Sequence, residues 1–280
     1  MLTGMRILTG VLAAGAVLAI GGCGVQVSGA ATSTEDRSYE VAQGRLGNLS
    51  LTLDSSHATI VGTDATKIVV HEHLKYSKNR KPTPHHTIDG SQLSLGYSCP
   101  RGFNIGFNEC TVGYRVEVPR SMAINVHNDS AGLTLNDLAG PITARSDSGT
   151  VDLNDYRGAS ATLSADSGAI RINGATSSPV LQVRADSGSI KANGVQGGRF
   201  TAAADSGSIR ASFTAPPSLV DVRVGSGSTL LNLPTSASYD IQTSVDSGSK
   251  DIDPAVPNQR GARNKVTVRA DSGSIRIGPA

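Results

Sequence analysis

The tripeptide Asp-Ser-Gly recurs through the second half of this 280-residue chain at intervals of about 20 residues, which is the signature of a repeat architecture. The successive steps are 18, 19, 20, 19, 20, 21 and 25 residues. One unit begins with Gly instead of Asp, and the first unit reads Asp-Ser-Ala-Gly. The units begin at Asp129, Asp147, Asp166, Asp186, Asp205, Gly225, Asp246 and Asp271. Each unit is therefore expected to be one structural element that stacks on its neighbours.

The residues around the tripeptide alternate as in two short strands that meet at a corner. Counted from its first residue, positions −5, −3, −1, +4 and +6 are apolar in five units, with one Thr as the exception. Side chains of a strand alternate between its faces, so these positions share one buried face. The unit of Asp186 shows the pattern with Leu181, Val183, Ala185, Ile190 and Ala192. The sequence predicts an all-β fold, a β-solenoid similar to a parallel β-helix, with coils of roughly 20 residues.

The tripeptide itself predicts a turn. Asp and Ser side chains bond to backbone N–H groups one or two residues further on, and Gly adopts positive φ without strain. A second break follows two units, at Asn173-Gly174 and Asn193-Gly194. Each coil is thus predicted to contain a strand, the Asp-Ser-Gly turn, a second strand and a second corner.

The pattern of apolar residues predicts a diverged β region over residues 38–120, followed by the regular solenoid over residues 121–280. The same phase fits around Asp54, with Leu49, Leu51, Leu53, Ala58 and Ile60, and more weakly around Asp89, with Ile88, Leu93 and Leu95. One further strand alternates at Val112, Tyr114, Val116 and Val118 and ends at Pro119. The basic stretch 75–86 predicts a long loop.

Residues 1–22 predict an export signal, because the apolar run 7–20 behind Arg6 is too short for a comfortable membrane span. The following Ile20-Gly21-Gly22-Cys23 resembles the bacterial lipoprotein signal, in which the cysteine thiol receives the lipid. We expect residues 23–37 to form a lipidated N-terminus and flexible tether on the extracytoplasmic face of the cell membrane. The alternative is an ordinary signal peptide with an unrelated cysteine.

The two remaining cysteines, Cys99 and Cys110, are expected to form a disulfide, since oxidation is the default in an exported protein. A metal site would require further Cys or His at short spacing. The net charge of +2 gives no strong field, so nucleic acid is not an expected partner.

The run of Ala-Asp-Ser-Gly-Ser-Ile units, preceded by an alternating strand and Val118-Pro119, resembles the bacterial putative-adhesin domain of β-strand repeat proteins. The resemblance is strongest over residues 112–280 and weaker over 38–111. It implies an exported or envelope protein without a defined activity. The insertion at Cys99 and Cys110 departs from the family pattern.

The row of Asp residues has two interpretations. Stacked carboxylates repel one another, and cations at position +5 (Arg171, Lys191, Arg210, Arg276) or −2 (Arg184, Arg269) would offset this repulsion by pairing across coils. Calcium between the coils is the alternative, although calcium requires six to eight oxygens. Structural turns without a metal or cofactor are the prediction.

Two other groups of side chains allow a functional interpretation. His71 and His73 lie on one face of a strand, and His85-His86 lie in the predicted loop, so four imidazoles would form a zinc or copper site if they converged. If the basic residues of the loop form a binding site, they would contact anionic envelope polymers or lipid headgroups. For both groups, the favoured interpretation is a solvated surface location without a ligand.

Catalytic signatures are absent from the sequence, because it contains no Gly-x-Ser-x-Gly elbow, no His-Glu-x-x-His and no phosphate loop. The prediction is a non-enzymatic, lipid-anchored envelope protein that serves as an adhesin-like or interaction scaffold for an envelope protein or polymer. The alternatives are a polysaccharide-active enzyme on a β-helix and an envelope-stress sensor.

Overall fold

The structure is a computed structural model that describes residues 32–77, 79–100, 109–177 and 179–280. These residues form 19 strands and no helix, as the all-β prediction requires. None of the described segments is a helix long and apolar enough to cross a membrane. The predicted export signal, Cys23 and the first part of the tether lie outside the described residues.

The strands fall into an irregular N-terminal group and a regular series. The first group is β1 (Thr32–Ala42), β2 (Asn48–Leu53), β3 (Ala58–Thr63), β4 (Lys67–Ser77), β5 (Thr83–Asp89), β6 (Gln92–Ser98) and β7 (Cys110–Pro119). The series is β8 (Ala123–Asn128), β9 (Leu133–Asn136), β10 (Ile142–Ser146), β11 (Val151–Tyr156), β12 (Ser160–Ala165), β13 (Ile170–Ala175), β14 (Val180–Ala185), β15 (Ser189–Gln196), β16 (Arg199–Ala215), β17 (Leu219–Leu233), β18 (Tyr239–Ile252) and β19 (Asn264–Pro279).

The regular strands stack as the parallel coils of a β-solenoid. The strand before each corner pairs with its counterparts in the adjacent coils, as β14 pairs with β12 and β16, and the strand after the corner does the same. The side chains that the two strands turn inward form one continuous hydrophobic core. The β-solenoid prediction is confirmed.

The predicted alternation is also confirmed by burial. Every core position assigned around Asp54, Asp166, Asp186, Asp205, Gly225 and Asp271 is buried. Phe200 and Phe213 pack edge to face in this core, with ring centroids 5.7 Å apart. Tyr156 and Tyr239 are also fully buried, and most of the remaining interior is filled by small and branched aliphatic side chains, which suits closely spaced strands.

The glycines of the corners lie directly on one another. A Cβ atom placed on Gly188 would stand 1.7 Å from the carbonyl oxygen of Gly168, and one on Gly168 equally close to the oxygen of Gly149. The series runs through Gly149, Gly168, Gly188, Gly207, Gly227, Gly273 and Gly248. Only glycine fits such a position, because any side chain would occupy the place of the neighbouring carbonyl.

This stacking corrects the predicted turn mechanism. Four of these glycines have φ between +136° and +158°, whereas Gly149, Gly168 and Gly188 are not in the left-handed region. Close backbone approach is therefore the common requirement. The corner hydrogen bonds run between coils, as from Ser148 N to Asp129 O at 2.7 Å. In β16 to β19 the strand continues through the tripeptide, which is a corner within a strand and not a separate turn.

The last two coils do not stack in sequence order. β19 lies between β17 and β18, so that Ser226 pairs with Ser272 and Ser272 with Ser247. The β19 coil has five apolar core positions, whereas β18 carries Lys250 where its partner strand carries Ile275. A charged residue at a core position is tolerated at the end of the stack, where it also discourages pairing of the edge with another chain.

The first coils are rearranged in a similar way. β6 and β7 form a coil parallel to β2 and β3, and β2 and β3 in turn lie against β8 and β9. Residues 38–120 thus continue the same stack as residues 121–280. The disulfide between Cys99 and Cys110, with an S–S distance of 2.09 Å, joins the end of β6 to the start of β7. It closes a coil in which Asp-Ser-Gly is missing.

Three predictions for this region are wrong. Asp89 is at the turn of an antiparallel β5–β6 hairpin, so it is not a coil corner, and Ile88 is 55% exposed. Residues 75–86 are mostly strand, because β4 extends to Ser77 and β5 begins at Thr83. The tether prediction reached too far, since β1 begins at Thr32 and pairs with β4.

The substitution Gly188→Ala should lower the free energy of unfolding by about 3 kcal/mol, the upper end of the usual cost of overpacking, because backbone must move to admit the methyl group. Urea unfolding of the purified protein measures the effect. Gly47→Ala is the matched control, since a Cβ there meets no atom within 4 Å. Equal unfolding midpoints for the two variants would contradict the stacking.

Candidate interaction surface

Two outward arginines at the corners each bridge the aspartates of adjacent coils. Arg145 bridges the Asp147 of its own coil at 3.2 Å and the Asp166 of the next coil at 2.8 Å. Arg184 repeats the arrangement with Asp186 at 2.9 Å and Asp205 at 3.0 Å. All of these side chains are partly exposed, so each ion pair contributes little on its own. The guanidinium groups of Arg145 and Arg184 supply positive charge between these carboxylates, which is the role that calcium would have in the alternative interpretation.

The other predicted cations pair differently from the expectation. Arg269 approaches Asp221, at 3.6 Å, and not an Asp of the tripeptide. Arg171 pairs with Asp152 at 3.4 Å and Arg276 with Asp251 at 3.1 Å. These acids lie at position +5, like the arginines that they contact, and so belong to a second row on the strand after the corner.

This second row contains three adjacent cations. Parallel pairing places Arg171 beside Lys191 and Lys191 beside Arg210 on the outer faces of β13, β15 and β16. Within the described residues, no acidic oxygen lies within 4.0 Å of Lys191 or Arg210, whereas Arg171 has Asp152. Side chains in register on neighbouring strands stand about 5 Å apart, so three positive charges are held at close range. We call Arg171, Lys191 and Arg210 the basic row.

Hydrogen-bonding side chains flank the basic row on both sides. On the corner side, Ser189 pairs with Ser208, and the hydroxyl of Ser208 accepts a hydrogen bond from Arg210 at 3.2 Å. On the other side, asparagine amides bond from coil to coil: Asn154 donates to Asn136 at 2.9 Å, Asn173 to Asn154 at 2.9 Å and Asn193 to Asn173 at 3.4 Å. The result is a flat polar face with fixed spacing.

The N-terminal coils carry a separate groove of about 520 Å³, lined by β1, β3, β4 and β7. Gly113, which has no side chain, lines the groove together with His57, His71 and His73. His73 Nδ1 is 2.5 Å from Asp36 Oδ1. Sequence reasoning missed His57, which precedes β3 at position +3 of the Asp54 coil, where later coils carry Ser189 and Ser208.

The four histidines considered as a metal site do not converge. His71 and His73 lie on the outer face of β4, whereas His85 and His86 belong to β5, and the ring of His86 stacks on Tyr39 at 5.1 Å. Among the described residues, the group whose ligand atoms all lie within 4.8 Å of one another is His127, Asp129 and Asp147. His127 was also missed, although it stands at position −2, where Arg145 and Arg184 stand in their coils.

A buried carboxyl lies on the inward face of β4 at the N-terminal end. Glu72 on β4 is 4% exposed and accepts a hydrogen bond from the Tyr39 hydroxyl at 3.0 Å. Burial raises the pKa of Glu72 above its ordinary range, against the opposing effects of Tyr39, Arg37 and His86. Burial also raises the pKa of Tyr39 and of Tyr114, whose hydroxyl donates to Gly96 O at 2.8 Å. This cluster is structural, since its hydrogen bonds join β1 to β4 and β7 to β6.

The family model of Toastrack DUF4097 matches residues 34–278. A "putative adhesin" from Bacteroides fragilis is similar in structure, with 14% identity and a TM-score of 0.50, covering 91% of this chain and 100% of that chain. A "putative cell adhesion protein" from Clostridium sporogenes has 12% identity and a TM-score of 0.26, covering 89% and 100%. A "putative lipid binding protein" from Parabacteroides distasonis has 10% identity and a TM-score of 0.28, covering 90% and 96%.

None of these descriptions names an enzymatic activity. No curated protein matches the sequence. The similarity to the Bacteroides fragilis structure extends to the fold alone.

The raised pKa of Glu72 predicts a pH-dependent stability. The folded protein holds this proton more tightly than the unfolded chain, so the free energy of unfolding decreases as the pH rises from the ordinary carboxyl pKa towards the raised native value. Glu72→Gln removes the buried charge and retains an oxygen for Tyr39. We expect this variant to gain stability over the wild type at pH 8 but not at pH 3.5, as measured by urea unfolding.

Glu117→Gln, a change on the half-exposed outer face of β7, is the control and should give no such gain. A Glu72→Gln variant that is less stable than the wild type at pH 8 would show that the carboxylate is a net stabilising group.

Proposed function

The chain belongs to the Toastrack DUF4097 family, and from the surface of its β-solenoid we propose that it is a non-enzymatic, lipid-anchored envelope protein that holds an anionic envelope polymer. The polymer would lie across the outer face of β13, β15 and β16. The role is adhesin-like in that the protein presents a rigid binding surface outside the cell membrane.

The basic row is the observation that carries this proposal. Two unit charges 5 Å apart repel by about 0.8 kcal/mol in water. Arg171, Lys191 and Arg210 are held at that spacing by their strands, and the latter two lack an acidic partner among the described side chains. A line of negative charges on a polymer would relieve the repulsion of all three.

The flanking rows suit the same ligand. The hydroxyls of Ser189 and Ser208 and the amides of Asn173 and Asn193 offer donors and acceptors to a chain that crosses the coils. The backbone beneath them is fixed by continuous pairing, so little conformational entropy is lost on binding. A polymer with anionic groups and hydroxyls would find both types of partner.

Co-sedimentation with bacterial cell-wall sacculi tests the proposal, before and after extraction of the anionic polymers. We expect the wild type to bind intact sacculi and to lose at least tenfold in affinity in the Lys191→Gln, Arg210→Gln double variant. The reason is the loss of the two cations that have no acidic partner among the described residues. Arg199→Gln with Arg223→Gln removes the same charge from the strands before the corner and should bind as the wild type does.

Binding that survives extraction, or that the control variant loses equally, would overturn the assignment to the basic row. Hydrolysis of the polymer during the assay would favour the enzymatic alternative.

Anchoring is tested separately at Cys23. In cells supplied with labelled palmitate, the wild type should incorporate label and stay with the membrane, and Cys23→Ala should lose both properties, because the thiol is the acyl acceptor. Cys99→Ser should retain the label. Label on Cys23→Ala would refute the lipoprotein interpretation.

A further inference from the structure

We propose that His127, Asp129 and Asp147 form a site for a divalent transition metal of the zinc or manganese class, at the corner between the β8–β9 and β10–β11 coils. The Nε2 atom of His127 is 3.2 Å from Asp129 Oδ1, and the ligand atoms of all three residues lie within 4.8 Å of one another. This inference goes beyond the proposed function and does not depend on it.

Comparison with the other coils shows what distinguishes this corner. In the coils of Asp147 and Asp186, the arginine at position −2 lies between the Asp of its own coil and the Asp of the next. Register pairs His127 with Arg145, so the imidazole occupies the equivalent place one coil earlier. A guanidinium keeps its charge and has no lone pair to donate, whereas a neutral imidazole is a common metal ligand.

The ligand set suits borderline metals better than calcium. One imidazole nitrogen and two carboxylate oxygens bind zinc at about 2.0–2.2 Å, which places the ligand atoms of one ion about 3–4 Å apart. Calcium prefers six to eight oxygens and rarely takes nitrogen. The backbone is already in place, because Asp147 N donates to Asn128 O at 3.0 Å and Ser148 N to Asp129 O at 2.7 Å.

The three side chains are accessible to a metal ion, and competition by Arg145 for Asp147 does not prevent binding. His127, Asp129 and Asp147 expose 42%, 47% and 41% of their side chains, so further coordination positions face solvent. Arg145 competes for Asp147 at 3.2 Å but keeps Asp166, at 2.8 Å, when Asp147 turns to a metal.

Isothermal titration of the full-length protein, purified in detergent without a polyhistidine tag, tests the site with Zn²⁺, Mn²⁺ and Ca²⁺ salts. We expect one Zn²⁺ per chain and at least tenfold weaker binding of Ca²⁺. His127→Arg should lose Zn²⁺ binding at least tenfold and keep the wild-type melting curve, because it recreates the arrangement of Arg145. His71→Arg, on the outer face of β4, should bind as the wild type does.

The reverse exchange provides an independent test. Arg184→His should create a second site with Asp186 and Asp205 and raise the stoichiometry to two. Absence of Zn²⁺ binding to the wild type, retention of full affinity in His127→Arg, or a stoichiometry of one in Arg184→His would each overturn the proposal. Polymer binding plays no part in these measurements, so they stand whether or not the basic row binds sacculi.

Discussion

The contact between stacked corner glycines is the constraint on which the rest of this structure depends. Each glycine lies so close to the next coil that the neighbouring carbonyl oxygen occupies the place of its missing side chain. This contact admits one register only, since a shift by one residue would bring a side chain against the carbonyl. Because side chains alternate along a strand, fixing the corner fixes which residues face the core in every coil.

The surface follows from the same constraint. Because the coils share one register, side chains at the same position of the repeat line up in a straight row on the surface. The chemistry of each row depends on which residues occupy that position in successive coils. Position −2 carries Arg145 and Arg184, which bridge carboxylates of two coils, and one histidine, His127. Position +5 is paired at Asp152–Arg171 and at Asp251–Arg276, whereas Lys191 and Arg210 have no acidic partner in the described part of the chain. The two proposed ligand sites lie where a row departs from charge pairing, at Lys191 and Arg210 and at His127.

The repeat phase predicted the core well because burial depends on local alternation. It assigned every buried position of the Asp186 coil, from Leu181 to Ala192. The order of the coils was not predicted. The spacing of the repeat shows which residues share a coil, but it does not show which coils are neighbours. Lys250 was the available signal, because a lysine at a core position belongs at an open end, and the 25-residue step to Asp271 leaves enough chain for β19 to return.

The N-terminal errors have a related cause. Asp89-Gly90 is as good a hairpin turn as a coil corner, and only tertiary pairing decides between them. Glu72 alternates with Val70 and Leu74 on the inward face of β4, so its burial was readable from the sequence, but its partner Tyr39 was not. His127 was overlooked because a single substitution at a repeated position is visible only once the row is known.

Disulfide trapping across the corners tests the stacking most directly. With Ser226→Cys and Ser272→Cys introduced together, the structure predicts a new disulfide on mild oxidation, because these residues are register partners in adjacent coils. With Ser226→Cys and Ser247→Cys it predicts none, since β19 separates them by about 10 Å. Peptide mapping by mass spectrometry distinguishes the two. Efficient cross-linking of Ser226→Cys to Ser247→Cys, without the other bridge, would contradict the stacking order and the glycine contacts that define it.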